Sequence, residues 1–312
     1  MKQTLKKLCL STAALAFAFS NTAFAHPHET APKAEAAAEA TAETAAPTAP
    51  ALWKVADEDT TIYLFGTVHI LPKDVEWYNA EIATALTTSD ELVTEIYMPE
   101  GSEMQAQQAF LAKANLPEGQ SLRDLLSEEQ KESYEAAMTK LGLPVASFDT
   151  FEPWFAAINL SMLPLLQAGY SPDAGVETVL EAKVPDTPRG ELETIEFQVG
   201  VFDGLPMESQ IKFLMETADG VDEIVPSLDA MVNEWAKGDP ETLGDLMNEG
   251  FSDPALAEAL LYKRNSNWAQ WIDTRLDTPG TVFIAVGAGH LAGEQSVQDA
   301  LASIGIETTR VQ

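Results

Sequence analysis

Thr61-Ile62-Tyr63-Leu64-Phe65-Gly66-Thr67-Val68-His69 is a run of β-branched and aromatic residues broken by a glycine three positions before a histidine. Such a run predicts a buried strand, and the glycine ends it in a sharp turn. The same plan returns near the far end, in Val282-Phe283-Ile284-Ala285-Val286-Gly287-Ala288-Gly289-His290. The chain has four histidines, and the other two, His26 and His28, lie in an N-terminal segment of different character. Both histidines of the folded part therefore sit in a strand-Gly-x-x-His unit, a repetition that points to chemistry rather than to packing.

Working outward, Met1 to Ala25 carries Lys2, Lys6 and Lys7, an apolar run from Leu8 to Phe19, and Ala23-Phe24-Ala25. This is the pattern of a secretory signal peptide over residues 1–25, and it predicts export to the periplasm or beyond. Cys9, the single cysteine, would leave with it, so neither disulfides nor thiolate metal ligands are expected. Residues 26–50 are Ala, Glu, Thr and Pro with almost no large apolar side chain, a composition expected to stay a disordered tether. No stretch is long and apolar enough for a transmembrane segment. The net charge of −31 repels nucleic acid, which is excluded as a partner.

Residues 51–312 are expected to form one α/β domain. Its mixed central sheet is built from the N- and C-terminal strand-Gly-x-x-His-helix-strand units, with a largely helical middle. After the first unit, a helix with Asp74 as N-cap and Trp77, Ile82, Ala85 and Leu86 on one face leads to a second strand at Glu91–Ile96, expected to be the first strand's parallel neighbour. That order would put Glu95 beside the Gly66–His69 turn, at the carboxyl end where α/β sheets build their sites. Glu191 to Glu196 alternates acid with apolar and suggests a strand turning Glu191 and Glu193 to a cleft. Arg264, Trp268, Trp271 and Arg275 share one helical face, the tryptophans for the core and an arginine either snorkelling or aimed at a carboxylate.

Imidazole and carboxylate are the ligands that first-row metals use when thiolates are missing. His69, His290, Glu95 and Glu193 could form such a site for a divalent manganese, cobalt or zinc ion, with Gly66 and Gly287 letting metal and substrate approach the backbone. The sequence lacks His-Glu-x-x-His, Gly-x-Ser-x-Gly, Walker and dinucleotide-binding signatures.

Taken in order, Gly66-Thr67-Val68-His69, Glu95, Gly175-Val176-Glu177, Leu192 to Gln198, Arg264-Asn265-x-x-Trp268 and Val286 to Gly293 resemble the TraB/PrgY/GumN family over about Leu52 to Val311. The resemblance implies an α/β fold related to the Tiki metalloproteases and, more distantly, to erythromycin-esterase-like and ChaN-like proteins. It implicates His69, Glu95 and His290, with Glu193, Arg264 and Asn265 in support; Glu177 stands where the family often has aspartate. The expected function is an exported metal-dependent hydrolase acting on a peptide or small-molecule substrate. His69, His290 and Glu95 would hold the metal, Glu193 or Glu95 would serve as general base, and Arg264 would stabilise an oxyanion. Two other readings compete: a peptide- or ligand-sequestering protein without chemistry, and a metal-free esterase-like hydrolase with His69 or His290 as general base.

Overall fold

The computed structural model describes residues 49–99, 101–248 and 253–312. The signal peptide and all of the tether except Ala49 and Pro50 lie outside them. Six strands form one mixed sheet: β1 (Leu52–Ala56), β2 (Thr60–Thr67), β3 (Glu91–Thr94), β4 (Arg189–Glu191), β5 (Gly280–Gly287) and β6 (Thr309–Arg310), in the order β4-β3-β5-β2-β1-β6. The four inner and left-hand strands β4, β3, β5 and β2 run parallel, while β1 is antiparallel to both β2 and β6.

The near-continuous apolar runs of β2 and β5 follow from burial on both faces. Phe65, Leu92, Phe283 and Ala285 pack on one side against the helices Ala80–Thr87, Val176–Lys183 and Ile224–Lys237. Ile62, Leu64, Val93, Val282 and Ile284 pack on the other against Lys263–Leu276 and Val297–Ser303. A second apolar cluster, centred on Trp154, Tyr134 and Phe202, fills the helical middle. The apolar helix Pro153–Gln167 belongs there as core, with Trp154, Ala156, Ala157 and Leu160 fully buried. Among the described residues, no helix is long and apolar enough to cross a membrane.

Three local expectations need correction. β3 is parallel to β2 but is not its neighbour, because β5 lies between them; the strand buried on both faces has taken the centre. Asn79, not Asp74, caps the helix Ala80–Thr87, accepting from Ile82 N at 3.0 Å, and Trp77 precedes that helix. The strand expected over Glu191 to Glu196 ends at Glu191, since Thr194 caps a new helix, Ile195–Asp203, by accepting from Phe197 N.

Candidate functional site

The two Gly-x-x-His turns meet because β2 and β5 are adjacent and parallel, with Gly66 opposite Val286 and Thr67 opposite Gly287. The two segments touch: a Cβ on Gly66 would stand 3.1 Å from Ala288 Cα, so a side chain there would have to push Ala288 away by a few tenths of an ångström. Trp235 Nε1 donates to Gly66 O at 2.8 Å and anchors the first turn from the helix above it.

Glu95 follows β3 and lies beside the second turn rather than the first, a consequence of the strand order. Its Oε1 accepts from Gly287 N at 2.7 Å, and its Oε2 accepts from Arg264 Nη2 at 2.6 Å and Gln198 Nε2 at 2.8 Å. Glu193 continues alongside β3, its own N–H donating to Glu95 O at 2.8 Å. Its Oε1 accepts from Arg264 Nε at 2.9 Å and Trp268 Nε1 at 2.8 Å, and its Oε2 from Arg264 Nη2 at 2.8 Å.

Arg264 is 3% exposed and joins these groups. Nε reaches Glu193, Nη2 reaches Glu193 and Glu95, and Nη1 reaches Leu260 O at 3.0 Å and His290 Nε2 at 3.1 Å. A guanidinium has five N–H groups, and all five are used. No donor is left for an oxyanion, so the role expected of Arg264 from sequence gives way to one of positioning. The arginine is aimed at carboxylates, not snorkelling, and its guanidinium lies 4.9 Å from the ring centre of Trp268.

His290 is fully buried, its ring 4.2 Å from that of Trp268. Nδ1 lies 2.5 Å from Asn265 Oδ1, and Asn265 is itself held by donating to Gln295 O at 2.7 Å. An amide oxygen only accepts, so Nδ1 carries the proton and Nε2 presents a lone pair. Burial, reinforced by the Arg264 charge, pushes this imidazole down to about 3, which keeps it neutral.

His69 is arranged the same way by a different partner. Glu177 Oε1 stands 2.6 Å from its Nδ1 and also accepts from Thr67 Oγ1. Gly175-Val176-Glu177 reaches this place because Val176 N donates to Val68 O at 3.0 Å, and a Cβ on Gly175 would fall 2.1 Å from His69 O. Burial works against a charge on His69, but Glu177, with Glu95 adding to it, outweighs burial and lifts the imidazole to about 9. Its Nε2 is buried and has no hydrogen-bond partner.

The carboxylates are driven apart. Burial alone would raise Glu95, but Arg264, the two histidines and the Gly287 N–H hold it well below the usual carboxylate range. Burial raises Glu193 in spite of Arg264 and Trp268. One carboxylate is thus a fixed anion, and the other takes a proton more readily.

The donor types suit a divalent ion: each histidine has Nδ1 committed to a side-chain oxygen, the arrangement that turns Nε2 toward a metal, and His69 Nε2 is an orphan, although on this raised imidazole a bound ion would first have to displace the Nε2 proton. Among the described residues, no group of three or more His, Cys, Asp or Glu side chains is assembled to hold one.

The family model for TraB/PrgY/gumN matches residues 51–310, nearly all of the described chain. This chain belongs to that family. Among curated relatives of this TraB/PrgY/gumN chain are the uncharacterized protein YbaP of Escherichia coli (strain K12) and that of Shigella flexneri. Each is 25% identical over 241 residues, spanning 77% of this chain and 87% of the relative. No solved structure matches it. Gln198, Thr67 and Trp235 of this family member also contact the candidate residues, bonding to Glu95, Glu177 and Gly66; Thr67 and Gln198 entered the sequence reading only within quoted motifs, and Trp235 not at all. Their signal there was weak, since an amide, a hydroxyl and an indole each commonly serve packing or capping.

Proposed function

We propose that this family member is an exported, metal-dependent hydrolase of peptides, with His69, His290 and Glu95 as the ligands of a manganese, cobalt or zinc ion. The buried, unpartnered Nε2 of His69 carries the reading, because its ring is already held at Nδ1 by Glu177. When bound, such an ion supplies a Lewis acid and lowers the pKa of a bound water. The remaining work falls to side chains. Glu177 and Asn265 fix the tautomers and orientations of the two imidazoles. Glu95 keeps a full negative charge among cations, and Glu193, lifted by burial, takes the proton released from water. Arg264 positions both carboxylates through bidentate and shared contacts.

Export is supported by the leader over residues 1–25 and predicts a mature N-terminus at His26; an intact mass of the exported protein that still includes Met1 to Ala25 would refute it.

The direct test is metal content of the purified full-length product before and after a chelator wash, with turnover of a peptide panel followed in both states. Stoichiometric metal whose removal stops turnover supports the proposal. Turnover by a metal-free protein would instead favour a histidine-based hydrolase, with His69 as the base to test first because Arg264 occupies His290 Nε2. Peptide binding with no turnover in either state would leave a sequestering protein.

A further inference from the structure

A groove of about 440 Å³ lies between the helix Ile195–Asp203 and the segment Ala255–Lys263, with Arg264 in its wall. The groove therefore borders the buried charge cluster directly. Its sides are apolar, from Phe197, Val201, Leu205 and Ala259, and Phe197 remains 40% exposed there. One residue short of the arginine, Glu258–Tyr262 forms a π-helical turn, a distortion that clusters at functional sites. The floor has room: a Cβ added at Gly200 would meet nothing within 4 Å. Lys263 stands on the rim, exposed and without an ion-pair partner among the described residues, in a chain where acids outnumber bases 49 to 18. An apolar trough with one uncommitted cation at its edge complements an amphipathic anion.

We infer that this groove receives the C-terminal residue of a peptide, with a large apolar side chain in the trough and the free carboxylate at Lys263. The inference rests on the peptide-hydrolase reading above and names the substrate class of that site.

The test uses the full chain and three probes: acetyl-Ala-Ala-Phe with a free acid, the same peptide as its amide, and acetyl-Ala-Ala-Ala acid. Binding is measured by titration calorimetry, and cleavage is followed separately by mass spectrometry. The phenylalanyl acid should bind most tightly. Gly200→Leu fills the trough and should weaken that peptide about tenfold or more, the loss expected for excluding one large apolar side chain, while leaving the alanyl peptide unchanged. Lys263→Gln, a surface change, should erase the preference for acid over amide and so carries the test independently of how Gly200→Leu folds. Equal affinity for phenylalanyl and alanyl peptides, or unchanged binding in both variants, would overturn the inference, as would tighter binding of decanoate than of the peptide. Gly200-dependent binding without cleavage would uphold the groove and sink the hydrolase reading; cleavage insensitive to Gly200 and Lys263 would do the reverse.

Discussion

Glu177 Oε1 lies 2.6 Å from Nδ1 of His69, although the two residues come from different elements and face each other only because Val176 hydrogen-bonds to Val68. The carboxylate thereby sets which nitrogen of the ring is left for a ligand.

Glu177→Ala should weaken metal binding about 10- to 100-fold, the usual effect of removing a group that orients a ligating histidine. Glu177→Asp and Glu177→Gln, which keep an acceptor oxygen, should recover part of it. Competition titration against a metal-sensing dye checks this, and wild-type affinity in Glu177→Ala would show that His69 needs no orienting partner.

Arg264→Ala leaves Glu95 and Glu193 buried without their cation. Stranding buried charges in this way costs about 3–5 kcal/mol, and denaturant titration should show a loss of that size. Arg264→Lys should rescue little, because an ammonium cannot reproduce the fork that reaches both carboxylates. A loss below about 1 kcal/mol, the ordinary worth of an exposed pair, would mean that the cluster is open to water.

The two glutamates should separate. Glu95→Gln should lose metal, whereas Glu193→Gln should keep it and lower turnover about 10²–10⁴-fold, the range for a lost general base. Metal analysis beside kcat distinguishes them. Full activity in both variants would make the carboxylates structural.

Gly175 and Gly200 should respond oppositely to alanine. At Gly175 the new methyl would collide with the backbone of His69 and destabilise the fold by about 1–3 kcal/mol, the cost of overpacking. At Gly200, within a helix and facing open space, alanine should stabilise by about 0.5–1 kcal/mol. Thermal unfolding of the pair would expose an error if the two shifts had the same sign.

The linear sequence was enough to show that β2 and β5 are buried strands each leading to a histidine, and that the middle is helical, because these are written in local periodicity; the strand break expected at Gly66 is not there, since β2 continues through Gly66 to Thr67. The sequence also marked Glu95, Glu193, Arg264 and His290, which the fold brings together in one hydrogen-bonded cluster. Strand order was beyond it. Placing β5 between β2 and β3 is a choice among long-range pairings that local pattern does not encode, and that choice moved Glu95 from the first histidine turn to the second. The role of Arg264 was hidden for the same reason: whether an arginine has a donor to offer depends on every acceptor around it, and here those come from segments up to 169 positions away. Residue type and spacing determined which groups this chain holds; only tertiary contacts decided which of their nitrogens and oxygens remain free.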